Sequence, residues 1–353
     1  MQRQPLEVQT LYAEMLEQLV ALEAARAIGH VPGGFVTKNV KGNDYYYFQY
    51  LEPGGAKRQT YVGRKDALLE VVVERFERGH ETFRADASAI QRLSSLLRVG
   101  GAMLTDAPSA RVLSALTDAG VFRLGGVLVG THAFTVIGNL LGVRWTGGAM
   151  RTQDLDVAAP ATMQVAVPEL DADIPSALEG LNMGFLPVPG FDPKSPSTSF
   201  KVRGQGLRVD LVTPARGAST APVSIPRLKA AAQPLRYLDF LLEATVRGAV
   251  IDGGGVLVSV PDPARFALHK LVVAGERPVT SQVKSEKDLR QAAAVLGVLL
   301  EDREGDVELA LQAVSAYGSG LATRLTKGLS AMARLEPATA ERVAQMLEAI
   351  AAS

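Results

Sequence analysis

No cysteine occurs anywhere in the chain, which excludes disulfides, thiolate metal sites and cysteine nucleophiles. With no apolar amino-terminal segment behind basic residues, the expected compartment is the cytoplasm. An excess of charge of either sign is missing too. The 37 Lys and Arg balance 37 Asp and Glu, so no global field draws the chain toward nucleic acid or an anionic membrane, and any steering must come from local patches. Long hydrophobic runs are absent: "AAAVLGVLL" at 292–300 falls short of the roughly 20 residues that span a bilayer, and no membrane partner is expected. Histidine is scarce, at four residues, so a histidine metal cluster is not expected. What the chain does have is 47% hydrophobic content over 353 residues, enough core for two or three domains.

The periodicity predicts a long opening helix over 6–28, with Leu11, Met15, Leu19 and Leu22 on one face and Gly29 as its stop. Turn-forming Gly, Asn and Pro then separate short β-prone runs near 35–40, 45–51 and 57–62, which reads as a three-stranded antiparallel meander. A helix over 66–97 leads to a joint at Gly100 and Gly101 and a further helix over 109–119. From residue 125 apolar strands (125–130, 152–158, 184–188) alternate with helices (131–142, 175–183), and "SFKVRGQGLRVDLVTP" reads as two strands turned at 204–206. A helix is expected over 235–247 and a strand over 255–260, followed by almost unbroken helix. The alternation reads as an α/β or α+β sheet domain, and α+β with a mixed-sheet core is the expected class. The expected divisions are 1–99 (helices and aromatic meander), 100–261 (sheet core) and 262–353 (helical bundle).

Within that core, "RTQDLDVAAP" at 151–160 places two carboxylates one residue apart in an otherwise apolar run. Side chains at i and i+2 of a strand point the same way, so Asp154 and Asp156 share one face while Leu155 and Val157 take the other. Two like charges about 7 Å apart on a half-buried face destabilise each other unless a cation sits nearby. A divalent cation bound by hard oxygen ligands, Mg²⁺ or Mn²⁺, accounts for the pair; an exposed pair partnered by Arg151 is the plainer alternative. Upstream, "VLVGTHAF" runs an apolar strand straight into a helix through Gly130 and Thr131, a junction with free backbone N–H groups and a positive helix end suited to a phosphate. A plain tight turn is the competing reading there. Downstream, "LRVDLVTP" sets Asp210 as a third carboxylate on a further strand.

Taken together, "LVGT" at 128–131, "DLD" at 154–156 and "VD" at 209–210 resemble, in the same order, the nucleotidyltransferase fold of the DNA-polymerase-beta-like superfamily. More narrowly, "VGTHAF", "IGNLLGVRW", "RTQDLDVA" and "PDPARFALHKLVVAGERP" look like a group of uncharacterised bacterial nucleotidyltransferase-fold proteins, similar in outline to abortive-infection nucleotidyltransferase toxins. Thr131 stands where the superfamily usually has Gly or Ser, and the interval to Asp154 is longer than usual. The resemblance implies a two-metal phosphoryl transfer in which Asp154, Asp156 and Asp210 hold Mg²⁺ or Mn²⁺, Gly130 and Thr131 orient the β- and γ-phosphates of a nucleoside triphosphate, and an acceptor hydroxyl attacks the α-phosphate. It also implies that Lys270 meets the triphosphate; Lys201 and Arg203 are further candidates for that contact. His132, in the first turn after the cradle, reads either as a phosphate donor or as a packing histidine.

Five of the eight tyrosines lie between Tyr45 and Tyr61, and residues 31–65 carry six Lys or Arg against Asp44 and Glu52. Tyr45 and Tyr47 fall on one strand face, with Lys57 and Arg58 nearby, the combination that single-stranded nucleic acid requires. A small sheet gluing the helices to the core is the other reading. The expected activity is transfer of a nucleotide monophosphate from an NTP to an acceptor, an RNA end before a protein hydroxyl or a small molecule. The alternative is a non-catalytic nucleotide- or nucleic-acid-binding regulatory module with the same fold.

Overall fold

A short strand, β1 (Gln2–Arg3), precedes helix α1 (Leu6–Ala27), whose Val8, Tyr12, Met15 and Leu19 recur at helical spacing and are all buried. A computed structural model describes the chain apart from residues 28–32, 52–56, 147–152, 161–170, 191–194, 218, 253, 278–281 and 353. Strands β2 (Gly34–Val40), β3 (Asn43–Leu51) and β4 (Lys57–Arg64) form the expected antiparallel meander, with a register shift at Tyr46 and Tyr47. Asp66 then caps helix α2 (Ala67–Val99), its carboxylate accepting from the Leu69 N–H at 2.8 Å. Ile90, Leu93 and Leu97 of α2 pack with the buried face of α1 in one cluster that also takes in Ala249, Ile251 and Leu257. The Tyr12 hydroxyl fastens α1 there, accepting from the Ala249 N–H at 2.9 Å and donating to the Ala249 carbonyl at 3.2 Å.

The central sheet follows helix α3 (Ala107–Asp118). It is entered by β5 (Val127–Val129), helix α4 (Gly130–Leu140), β6 (Val143–Arg144), which pairs with β1, and β7 (Asp154–Ala158). Helix α5 (Ile174–Gly180) leads to β8 (Phe185–Pro187), β9 (Ser199–Val202), β10 (Arg208–Pro214), β11 (Val223–Ile225) and β12 (Ala230–Leu235). The strand order is β11-β12-β10-β7-β5. The sheet is mixed, since β7, β10 and β12 run parallel while β5 and β11 are antiparallel to their neighbours. β9 lies antiparallel along the first half of β10 and carries β8 outside it. Leu155, Val157, Val209 and Leu211 are buried on one face, which leaves the alternate positions of β7 and β10 to the other.

The helix expected over 235–247 is a correction. Leu235 closes β12, only Leu238–Leu242 (α6) is helical, and the remainder is strand β13 (Thr245–Val250), paired antiparallel with β14 (Val256–Pro261). β-branched Thr245, Val246 and Val250 favour the extended form, and the hairpin closes the cluster under α1. Asp262 caps helix α7 (Pro263–Glu276), with proline in its first turn. Helices α8 (Gln282–Asp302), α9 (Glu304–Tyr317), α10 (Ser319–Met332) and α11 (Pro337–Ala352) complete the chain. Gly328 lets α10 press on α7, because a Cβ there would overlap the Leu271 carbonyl. The buried residues of the sheet and of α7 to α11 form one continuous core. Among the described residues no helix is long and apolar enough to cross a membrane.

Candidate active site

The pairing register assembles the acidic row. Asp210 on β10 stands directly beside Asp156 on β7, Arg208 stands beside Asp154, and on the other side Val129 of β5 pairs with Asp156. Asp154, Asp156 and Asp210 thus share the face opposite Leu155 and Val209, with adjacent strands about 4.8 Å apart. Immediately after Val129 the chain turns into α4 through Gly130 at φ +69, and a Cβ at that position would collide with the Asp156 carboxylate. The first turn of α4 has no side-chain cap, which leaves its backbone N–H groups free, and its start at Gly130 lies against the Asp156 carboxylate.

Burial, Asp210 and Asp154 together push the Asp156 carboxyl up to about 6, against the pull of Lys270 and Lys287. Those two cations come from α7 and α8. The Lys270 ammonium donates to Asp288 at 2.6 Å, and Arg277 meets the other oxygen of that buried carboxylate at 2.6 Å. Lys287 is depressed, first by burial and then by the like charge of Lys270. Asp210 is also engaged. Arg208 Nε donates to it at 2.7 Å, and the hydroxyl of buried Ser199 donates to the same oxygen.

The structure therefore brings together Asp154, Asp156, Asp210, Gly130 and Lys270 from the sequence reading. Lys201 pairs with Arg208 at the β9 edge on the same face and is exposed; Arg203 lies beyond it in the exposed turn before β10. Thr131 and His132 are buried, and Arg151 falls outside the described residues. Two participants were missed. Lys287 belongs to a row of Lys284, Lys287 and Arg290 at steps of three along α8, a pattern visible in "VKSEKDLRQ". Arg208 stands two residues before Asp210 in the strand that was read for its acid alone.

Among the described residues no three His, Cys, Asp or Glu side chains are gathered closely enough to hold a metal ion unaided. The donor set nevertheless fits a divalent cation. Burial and two neighbouring carboxylates disfavour the Asp156 charge, a cost that a cation would offset, its oxygen occupies the space that Gly130 leaves free, and Mg²⁺ ordinarily uses one or two carboxylates with substrate oxygens completing its shell. Beside Lys287 opens a cavity of about 920 Å³ walled by Phe134, Trp145, Thr146, Lys284 and Arg290, a volume in the range of small-molecule sites.

Burial lowers both His132 and His269, the latter to about 4, where Lys270 adds to the effect and Asp288 and Asp239 oppose it. An unfolded imidazole takes its proton near pH 6.5, so between that value and about 4 unfolding gains a proton and stability falls as pH falls, by roughly 3 kcal/mol at the lower end. Urea denaturation at about pH 7 and about pH 4.5 should show a loss smaller in His269→Gln than in the parent by roughly 2–3 kcal/mol. Equal losses would rule out His269 as the source.

The model of the nucleotidyltransferase family matches residues 107–316, more than half of the chain. No curated protein matches. Among solved structures, the crystal structure of an antigenic nucleotidyltransferase-like protein from Paracoccidioides brasiliensis is similar at 14% identity and a TM-score of 0.31, with 63% of this chain and 94% of that chain covered.

Proposed function

From the premise that the chain belongs to the nucleotidyltransferase family, we propose that it transfers a nucleotide monophosphate from an NTP to an acceptor hydroxyl, with an RNA end as the favoured acceptor. The observation that carries this reading is the acidic row of Asp154, Asp156 and Asp210 in register beneath the uncapped start of α4 and opposite Lys270 and Lys287. Asp154, Asp156 and Asp210 would hold Mg²⁺ or Mn²⁺, which would neutralise triphosphate charge when bound. The backbone N–H groups at Gly130 and Thr131 bind phosphate oxygens, and Lys270 and Lys287 face the charge that grows on the leaving pyrophosphate. Asp288, by fixing Lys270, positions it. As the acceptor oxygen bonds to the α-phosphorus, the bond to the β-phosphate oxygen breaks, and Asp210 would take the acceptor's proton. The cavity beside Lys287 has room for a nucleoside, with Trp145 in its wall.

One observation favours a second reading, a binding module that keeps the fold without turnover: Arg208 and Ser199 already occupy an oxygen of Asp210. Incubation with each α-labelled NTP, Mg²⁺ or Mn²⁺, cellular RNA and lysate protein separates the two. Label in RNA that the Asp154→Asn, Asp156→Asn double variant fails to produce supports transfer to RNA, and label in protein would move the acceptor. Nucleotide binding without label in any acceptor would favour the binding module.

A further inference from the structure

The meander carries two unlike faces. On one, Phe35 and Phe48 meet Phe76 of α2 edge-on at 5.1 and 5.5 Å, and Tyr46 is buried. That face is the glue between sheet and helix. Arg58 stands opposite Tyr50 on the same side, while Lys65 sits over the Tyr46 ring and pairs with Glu70 at 3.5 Å.

The other face collects Tyr45, Tyr47 and Tyr61, with Tyr61 packed against Tyr45 at 6.0 Å and against Tyr47 at 5.6 Å. Tyr61 is 55% exposed although it lies mid-strand. Register places Lys38 beside Tyr45, Arg64 on the other side of Tyr45, and Lys57 further along β4; all three are exposed. The Lys38 ammonium sits 4.8 Å from the centre of the Tyr47 ring. No Asp or Glu points to this face among the described residues, since Asp44 alternates to the other side. A chain whose charges balance overall therefore keeps three cations and three aromatic rings together on one surface. α2 holds that surface about 30 Å from the packed base at Leu97, at 1.5 Å per residue from Phe76.

We propose that this open face, built on Tyr45, Tyr47, Tyr61, Lys38, Lys57 and Arg64, binds single-stranded nucleic acid. Unpaired bases have free π-faces that stack on tyrosine whatever their identity, and the flanking cations meet the phosphates between them. Three rings in contact offer room for about two or three bases, as aromatic side chains on other RNA-binding sheets do. A duplex hides its base faces and would leave the rings without a function. The inference goes beyond the transfer reaction and does not depend on it.

Fluorescence anisotropy of the full chain with labelled 12-nucleotide RNA and DNA single strands and the matching duplexes, in EDTA and without NTP, tests it apart from catalysis. Single strands are expected to bind more tightly than duplexes. Tyr47→Ala with Tyr61→Ala should weaken binding about tenfold or more, whereas Tyr47→Phe with Tyr61→Phe should keep it, because the ring carries the stacking. Lys38→Gln with Arg64→Gln should flatten the dependence of log K on log salt by about 1.4, at ~0.7 per phosphate contact. Tighter duplex binding, unchanged binding by the folded alanine pair, or no binding to any oligonucleotide would overturn the proposal, the last leaving the face to a protein partner. The RNA and DNA arms identify which strand is preferred.

Discussion

Asp156→Asn should give a protein that is more stable than its parent and no longer transfers nucleotide. Asp156 carries its charge at the least favourable point of the acidic row, partly buried, beside Asp210 across the strand pair and two residues from Asp154. Relative to an ordinary carboxyl near 3.8, the push to about 6 disfavours the charged form in the folded state by roughly 3 kcal/mol. An amide of the same shape fits the space under Gly130 without that charge, and loses part of the attraction to the α4 start; the pull of the two lysines is already contained in the value of about 6. In metal-free buffer a net gain on the order of 2 kcal/mol is expected from urea denaturation. On the proposed reading transfer should fall by about a thousandfold, because Asp156 would organise the charge at the reacting phosphate. A variant no more stable than the parent would refute the crowding of charge; one that still transfers would refute the catalytic role.

The same residue shows how much the sequence disclosed. Alternation in "DLDVA" sufficed to place Asp154 and Asp156 on one face, and "LRVDLV" sufficed for Asp210, because strand periodicity is local and survives without knowledge of partners. Pairing is not local. That Asp210 lies beside Asp156 depends on β7 and β10 being parallel neighbours 54 positions apart in register, and that Gly130 sits against Asp156 depends on β5 flanking β7. The 235–247 segment failed for a related reason. Its apolar residues satisfy helical and extended spacing alike, and the partner strand β14 decides between them. Lys287 is not legible as a site residue from "VKSEKDLRQ" because nothing local tells that this turn of α8 faces the acidic strands.

The helical part of the chain also contributes to the candidate site. The sheet face alone would carry carboxylates with Arg208 and, at the edge, Lys201 as counter-charges; α7 and α8 bring Lys270 and Lys287 across from them. Sites with both signs of charge need each side chain held against collapse onto its neighbour, and here Asp288 does that holding.

Asp288→Asn is accordingly expected to be the most destabilising exchange around the site. The Asp288 side chain is 5% exposed and is shared by Lys270 at 15% and Arg277 at 28%. Its removal strands two cations in poorly hydrated positions with Lys287 nearby, and a stranded charge of this kind costs about 3–5 kcal/mol. Lys270→Met should cost less, since Asp288 keeps Arg277 and the methionine stem still covers Phe266. The order of melting temperatures, with Asp288→Asn below Lys270→Met, distinguishes this arrangement from a pair of equal partners, in which the two would fall together. NTP binding separates the roles further. Lys270→Met should weaken it by removing a phosphate contact at modest cost in stability, whereas a variant that binds NTP as the parent does would confine Lys270 to holding α7 against α8.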